Sequence, residues 1–159
     1  MANLETALNS GTADHFLSAV GSHLESTFNG FTPDQEADSH LYWEPEGCHG
    51  WFNEFELLDH EFRIIDKDDD WVVLEALANI IVEAEGDFSL SMYDSIDRDQ
   101  VHMGGVTVTT AKEFESEILI TISGNLDGPI DELKIDDVEV VSPIKTIHFG
   151  TIEPYYDED

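Results

Sequence analysis

Apolar and polar side chains alternate in two runs in the middle of the chain, between Asp87 and Leu126. In the first run Phe88, Leu90 and Met92 alternate with polar residues. In the second run one face would carry Phe114, Ile118, Ile120 and Ile122, and the opposite face Glu115, Glu117 and Thr121. This period of two is typical of half-buried β-strands, which here would flank an Asp-rich turn. We therefore expect a β-sheet with one apolar face and one anionic face.

The N-terminal part of the chain favours a helix. Between Thr12 and Phe28 the apolar residues recur at helical spacing. Thr12 is a suitable N-cap, and Asp14 in the first turn would interact favourably with the helix dipole. Asn29-Gly30 is a typical helix end. We therefore predict one amphipathic helix within a helical segment that covers residues 1–30.

The next segment, residues 31–50, carries the residues of a loop. It is interrupted by Pro33, Pro45, Gly47 and Gly50. Proline and glycine favour turns, and every charged residue in this segment is acidic. The segment also contains Tyr42 and Trp43. These rings could contact a partner, or they could cap one end of the hydrophobic core.

The pattern of residues 51–152 predicts a β-rich core. The stretch from Trp71 to Glu85 fits both helix and strand, because it combines Leu, Ala and Glu with an unbroken apolar face of period two. We favour a strand because β-branched pairs lie near both of its ends, and we expect a hairpin turn at Glu85-Gly86-Asp87. Further strands are predicted at Glu54–Ile65, Glu132–Val141 and Ile144–Ile152.

These elements predict one acidic domain over residues 1–159. A chain of 159 residues is long enough for one domain with a real core, since it buries about 70% of the surface that the unfolded chain exposes. The expected fold class is α+β, with an N-terminal helix packed on a mainly antiparallel sheet of about six strands.

The net charge adds a functional constraint to this fold. The chain has 36 acidic residues against six basic ones, a formal charge of −30, and Met1–Phe62 contains no Lys or Arg. Direct binding to nucleic acid is disfavoured, because phosphate contacts need Lys and Arg. The charge could serve a basic protein partner, imitate nucleic acid, or adapt the protein to high salt. Salt adaptation is disfavoured by nine Phe and by four Lys against two Arg.

The cysteine content and the N-terminus indicate the cellular compartment. Cys48 is the single cysteine, so no intramolecular disulfide can form, and a reducing compartment is expected. The sequence MANLETALNSG has neither the basic nor the apolar region of a secretory signal. We therefore expect a cytoplasmic protein.

Two groups of residues suggest metal chemistry without matching a known motif. His40, Cys48, His49 and His60 cluster in the sequence, but they lack the paired spacing of structural zinc ligands. A calcium loop beginning at Asp66 would need Gly at its sixth position and Glu at its twelfth, where the chain has Trp71 and Leu77. We expect neither a bound metal nor another cofactor.

Asp94, Asp97 and Asp99 lie close together in the predicted turn and could bind Mg²⁺ or work as an acid–base pair. Three acids in one turn are more often a solvated turn in a protein this acidic. The chain also lacks the Gly-x-Ser-x-Gly, phosphate-loop and His-Glu-x-x-His motifs. A metal-dependent enzyme is therefore an alternative to a non-enzymatic protein.

The turn and the strand after it resemble a known family. Tyr93 precedes the residues Asp-Ser-Ile-Asp-Arg at 94–98, and Glu113, Phe114, Glu115 and Glu117 follow. This arrangement resembles an acidic β-rich domain at the C-terminal end of some prokaryotic PIN-like nuclease proteins associated with defence. The resemblance covers about a quarter of the chain, and it implies an accessory domain in nucleic-acid defence without the nuclease itself.

The sequence thus predicts a non-enzymatic acidic protein that inhibits or regulates a basic, nucleic-acid-processing partner. Rows of carboxylates on a strand could imitate a phosphate backbone to such a partner. The alternatives are the metal-dependent enzyme and a halophilic housekeeping domain without a specific partner. The predicted partner-binding residues are Asp94, Asp97, Asp99, Glu115, Glu117, Tyr42 and Trp43.

Overall fold

The computed structural model describes residues 14–58, 62–94, 99–124 and 133–153, with the backbone alone at residues 93, 94, 99 and 100. It contains one helix, α1 (Asp14–Phe28), within the described residues. The strands are β1 (Asp34–Asp38), β2 (Tyr42–Leu57), β3 (Arg63–Lys67), β4 (Trp71–Asp94), β5 (Asp99–Ser123), β6 (Lys134–Val140) and β7 (Thr146–Thr151).

The strands form two sheets. The larger sheet has the order β2-β4-β5-β6, and β3 pairs with β4 in addition. The pairs β3–β4 and β5–β6 are antiparallel. The smaller sheet is a parallel pair of β1 and β7, in which Asp34 lies opposite Thr146 and Glu36 opposite His148.

The prediction of an α+β fold is wrong, because the described chain is essentially all-β. Strands make up 70% of the described residues and helix 12%. The predicted helix is present, but it is a single element of 15 residues. The prediction failed because the segment taken as a loop forms strands instead, so that the described residues contain seven strands, not about six, and one helix.

Residues 31–50 are therefore not the predicted acidic loop. Asp34–Asp38 is β1, and β2 begins at Tyr42 and runs through Pro45 and Gly47. β2 stands at the end of the strand order, and an edge strand tolerates a proline because one side of its backbone needs no partner. The local turn signals were thus overridden by the position of the strand in the sheet.

The strand predicted from Trp71 to Glu85 is confirmed, whereas the hairpin turn after it is wrong. β4 continues through Gly86 to Asp94. A Cβ atom at Gly86 would lie 2.9 Å from Cζ of Phe149 and 3.0 Å from Nε2 of Gln35, tighter than nearly all real Cβ contacts. The glycine therefore gives neighbouring side chains room to approach the strand, and it does not make a turn.

The described residues divide into two compact units. Of the described residues, unit 1 combines 14–29, 52–58, 62–81, 113–124 and 133–143, and unit 2 combines 30–51, 82–94, 99–112 and 144–153. β2, β4 and β5 each contribute residues to both units. The expectation of a single domain over residues 1–159 stays a prediction.

Unit 1 is built on the buried face of α1. Phe16, Val20, Leu24 and Phe28 recur every four residues on one side of the helix, and all four are buried. The ring of Phe16 meets that of Phe62 edge to face at a centroid distance of 6.0 Å, and Phe28 meets Phe114 at the same distance. Ile118, Ile120 and Ile122 of β5 are fully buried as well and belong to the apolar core of the same unit.

Unit 2 has an aromatic core centred on Phe88 of β4, which is 1% exposed. The Phe88 ring meets Trp43 at 5.6 Å and Phe149 at 5.3 Å between ring centroids, both nearly edge to face. Phe149 belongs to β7, so this ring contact joins the parallel pair to β4. Gln35 of β1 adds a hydrogen bond from Nε2 to the Asp87 carbonyl oxygen, at 3.2 Å.

Candidate protein-interaction surface

The outer face of β5 in unit 1 is anionic, as the alternation of its residues predicts. Ser116, Ile118, Ile120 and Ile122 are buried, whereas the residues between Glu113 and Glu117 that point the other way are exposed. The exposed side chains are those of Glu113, Glu115 and Glu117. The sequence therefore correctly assigned Glu115 and Glu117 to the solvent side of the strand.

The neighbouring strand β6 adds carboxylates to the same face. Asp137 lies opposite Thr121, and Glu139 lies opposite Leu119, in the antiparallel register. Directly opposed residues share a face of a sheet, and both acids are exposed. We call these five side chains the carboxylate rows: Glu113, Glu115 and Glu117 of β5 with Asp137 and Glu139 of β6.

The carboxylate rows present negative charges at regular intervals along the strand direction. Every second residue of a strand advances by about 6.6 Å. Glu139 lies level with Leu119 and Asp137 level with Thr121, so the acids of β6 continue the series that the three glutamates of β5 begin. The five carboxylates therefore offer about one negative charge per 6.6 Å, about half the density of one strand of duplex DNA, which carries one phosphate charge per about 3.4 Å of helix axis.

Few positive charges neutralise the carboxylate rows. Among the described residues, the one ion pair formed by a Lys or Arg joins Arg63 to Glu75, with Nη2 3.1 Å from Oε1. Glu113 accepts a hydrogen bond at 3.2 Å from Nδ2 of Asn79, which carries no charge. The rows consequently keep their charge available to a partner.

The two predicted aromatic contacts lie in unit 2 and differ from each other. Tyr42 is 57% exposed at the beginning of β2. Trp43 is half-buried and packs against Phe88. Tyr42 can therefore contact a partner, whereas much of the Trp43 ring is occupied by packing in the core.

The predicted Asp-rich turn falls largely outside the described residues. Asp94 ends β4 and Asp99 begins β5, but their side chains are not described, and Asp97 lies outside the described residues. Their predicted contact with a partner stays a prediction, as does the alternative role in metal-dependent catalysis.

The residues considered for zinc do not assemble a site where the structure describes them. No group of three His, Cys, Asp or Glu is arranged to hold a metal ion among the described side chains. His49 instead lies next to Trp51, with 5.7 Å between ring centroids. Burial, helped by the negative charge of Asp87, raises the pKa of the Cys48 thiol, and His60 lies outside the described residues.

A pocket in unit 2 brings a serine, a histidine and an aspartate together without forming a catalytic relay. The pocket has a volume of about 410 Å³. Ser89 Oγ lies 3.4 Å from Nδ1 of His102, a long hydrogen bond. The Asp87 carboxylate accepts its hydrogen bond from Thr107 Oγ1 at 2.6 Å. Among the described residues His102 makes no hydrogen bond to a carboxylate, so none of them serves as the orienting acid of a Ser-His-Asp triad.

A second depression, in unit 1, was missed by the sequence reasoning. We call it the Trp71 groove; its volume is about 490 Å³. Four strands contribute to its lining: β3 with Asp66, β4 with Trp71 and Val73, β5 with Thr121 and Ser123, and β6 with Asp136. Asp70, which directly precedes β4, completes the lining. A Trp directly after a run of acids was the available sequence signal, but the run was interpreted only as a solvated turn.

Comparison of the chain with protein-family models, with curated proteins and with solved structures gave no match. The resemblance to the acidic domain of PIN-like defence proteins consequently stays a prediction. Within the described parts of the chain, no helix combines the length and the apolar character that a membrane span requires.

Proposed function

We propose that this chain is a non-enzymatic acidic binding protein that occupies the basic surface of a nucleic-acid-processing protein and thereby inhibits or regulates it. The observation that supports the proposal best is the pair of carboxylate rows on the outer face of unit 1. Such rows compete with nucleic acid for a cleft lined with Lys and Arg, because both present regularly spaced negative charges.

The total charge of the chain supports the same proposal. A net charge of −30 accelerates association with a basic partner, and salt weakens this attraction within a Debye length of about 8 Å at physiological ionic strength. We propose a cytoplasmic location for both the chain and its partner, and a defence, anti-defence or immunity context, which the resemblance to PIN-like defence proteins would imply. Binding should therefore be strong in dilute salt and weak in concentrated salt.

The proposal is tested by capture of partners followed by competition with DNA. The immobilised protein is exposed to a cytoplasmic extract of its host at 50 mM and at 1 M salt, conditions chosen to bracket the electrostatic effect. We expect nucleic-acid-binding proteins to be retained at the lower concentration and released at the higher one. Added protein should then displace a fluorescent duplex from the purified partner, as measured by anisotropy.

The role of the carboxylate rows in partner binding is tested with two variants that change the net charge by the same amount. The row variant neutralises Glu115→Gln, Glu117→Gln, Asp137→Asn and Glu139→Gln. The control variant neutralises four exposed acids of unit 2, namely Asp34→Asn, Glu36→Gln, Glu44→Gln and Glu46→Gln. We expect the row variant to lose at least about tenfold in affinity, since close charge pairs across interfaces contribute strongly. Equal losses in both variants, or equal capture at both salt concentrations, would contradict the proposal.

A further inference from the structure

The Trp71 groove lies on the same face of unit 1 as the carboxylate rows. Thr121 and Ser123 follow Glu117 along β5 at intervals of two residues or multiples of two, and such residues share a face. Asp137, a member of the rows, lies directly opposite Thr121. The groove therefore continues the anionic surface toward the beginning of β4, where Trp71 stands.

The lining of the groove combines an aromatic ring with negative charge. Trp71 is half-buried, so part of its indole remains accessible. Asp66, Asp70 and Asp136 are all exposed. One oxygen of Asp66 accepts a hydrogen bond at 2.9 Å from the backbone N–H of Lys67, which leaves the second oxygen for a ligand. An indole beside carboxylates attracts an organic cation through both the ring and the charges.

The nearby lysines do not fill the groove. Lys67 lies opposite Val72, whose side chain is buried on the other face of the sheet. Lys134 lies opposite Ser123 and therefore shares the groove side of the sheet. Within the described residues, neither lysine comes within ion-pairing distance of an acid of the groove. Among the described residues, the three carboxylates of the groove thus have no ion-paired lysine, and an excess of negative charge remains.

The arrangement suits a guanidinium group better than a metal ion. A divalent metal needs several oxygen ligands around one point, and the described acids do not converge in this way. A guanidinium group is planar and weakly hydrated, stacks on aromatic rings and can donate to separate carboxylates. The hydroxyl groups of Thr121 and Ser123 can accept its remaining N–H groups. A volume of about 490 Å³ also admits a whole side chain.

We infer that the Trp71 groove receives an arginine side chain of the basic partner, with the guanidinium group held between the Trp71 indole and the carboxylates of Asp70 and Asp136. This inference rests on the proposed function, because it assigns one specific contact of that partner. The carboxylate rows then attract the partner over a distance, and the groove selects arginine at one position of its surface.

The inference is tested without any partner, using Nα-acetyl-arginine amide as the probe. The uncharged Nα-acetyl-citrulline amide has nearly the same shape and is the control ligand. The titrations are followed by two-dimensional NMR at low salt. The chain has three indole N–H signals, from Trp43, Trp51 and Trp71, and a Trp71→Phe variant assigns the third. We expect the arginine probe to shift the signals of Trp71, Thr121 and Ser123, and the citrulline probe to leave them unchanged.

The contribution of the Asp70 carboxylate to binding of the arginine probe is tested with variants of two neighbouring residues. Asp70→Asn removes a carboxylate of the groove, whereas Asp69→Asn removes the adjacent carboxylate, which does not line it. We expect Asp70→Asn to weaken the arginine probe by about two- to fivefold, the effect of losing one exposed ion pair. Asp69→Asn should change the affinity by less than the error of the titration. Both positions are exposed, so both variants should keep the spectrum of the folded protein.

Several results would overturn the inference. They are equal shifts with the citrulline probe, equal shifts at all three indoles, equal losses in Asp69→Asn and Asp70→Asn, and no shift at all. Each of these results is compatible with weaker partner binding by the row variant. In that case the proposed function would stand without the arginine contact. Conversely, specific binding of the arginine probe without capture of any partner would support the groove and contradict the proposed function.

Discussion

Two regions of the molecule use the same long strands in different ways. In unit 1 a helix packs on the sheet residues, and large side chains such as Phe16 and Phe28 fill the space beneath it. In unit 2 the parallel pair β1–β7 approaches β4 so closely that Gly86 has no room for a Cβ atom. A helix on a sheet thus needs large side chains to fill the space between the two, whereas a close strand pair needs glycine at the point of contact.

Among the variants that test this difference between the two units, removal of the central aromatic ring of unit 2 should have the largest effect on stability. We expect Phe88→Ala to lower the free energy of unfolding by about 3–5 kcal/mol, because the cavity would remove ring contacts with Trp43 and Phe149. Denaturation in urea measures the loss.

The corresponding variant in unit 1 is Leu24→Ala. It should lower the free energy of unfolding by about 2–5 kcal/mol, since Leu24 is fully buried in α1.

Met92→Ala provides the control for the aromatic variant. Met92 belongs to the same strand and was predicted to share the apolar face with Phe88, but its side chain is 49% exposed. Its removal should therefore change the free energy of unfolding by less than about 1 kcal/mol. If Met92→Ala destabilises the protein as much as Phe88→Ala, Phe88 is not the centre of the core of unit 2.

The same Gly→Ala substitution should have opposite effects in the two units. In unit 2 a Cβ atom on Gly50 would lie 2.8 Å from the carbonyl oxygen of Glu83 and would also collide with the Phe31 ring. We expect Gly50→Ala to destabilise the protein by about 1–3 kcal/mol through overpacking. In unit 1 a Cβ atom on Gly21 of α1 would meet Cε1 of Phe55 at 3.4 Å. Gly21→Ala should stabilise by up to about 1 kcal/mol, because alanine favours helix.

Thermal unfolding of the two glycine variants measures these effects. The melting temperature should fall for Gly50→Ala and rise for Gly21→Ala. A rise in both would mean that the strands of unit 2 leave more space than the geometry shows. A fall in both would mean that α1 lies closer to Phe55 than an alanine allows.

A smaller effect is expected at the buried hydroxyl of unit 1. Ser116 Oγ donates to the Glu117 carbonyl oxygen at 2.8 Å and accepts from the Ser142 backbone N–H at 2.9 Å. Ser116→Ala removes both bonds and should cost about 0.5–1.5 kcal/mol. Ser142 is exposed, so water can replace part of the loss. Urea denaturation of Ser116→Ala measures the cost, and a change beyond 3 kcal/mol would indicate a role for Ser116 other than these bonds.

The smallest effect concerns the thiol of unit 2. Burial, together with the charge of Asp87, raises the pKa of Cys48, so the folded state binds the thiol proton more tightly than the unfolded state. The tighter binding of this proton stabilises the folded state fully below the ordinary thiol pKa of 9.0. The stabilisation is lost as the pH rises through the higher pKa of the folded thiol. Iodoacetamide should react more slowly with the folded protein than with the urea-unfolded chain between pH 7 and 9. Equal rates would contradict the raised pKa.

Much of the larger sheet could be predicted from the sequence, because alternation is a local property. The even-numbered residues of β4 from Val72 to Leu90 are buried, and the same alternation in β5 correctly placed Glu115 and Glu117 outside. α1 was equally visible, since its apolar residues recur every four positions. In these elements the side chains alone indicate which face is buried.

The parts that were missed depend on residues far apart in the sequence. Pro45 and Gly47 indicate a loop by themselves, and only the edge position of β2 makes them compatible with a strand. Gly86 indicates a turn until Phe149, 63 positions further along the chain, is placed beside it. The Trp71 groove likewise requires residues from β3, β4, β5 and β6, which no local pattern brings together.

The uninterrupted alternation of β4 also limits how the gene can change. A one-residue deletion in the middle of the strand would exchange the two faces for every residue beyond it, burying carboxylates such as Glu83 and exposing the ring of Phe88. A deletion of two residues would keep each face as it is and only shorten the strand. Viable length variants of this strand should therefore differ by even numbers of codons, which makes β4 a segment that tolerates substitution on its outer face far better than insertion or deletion.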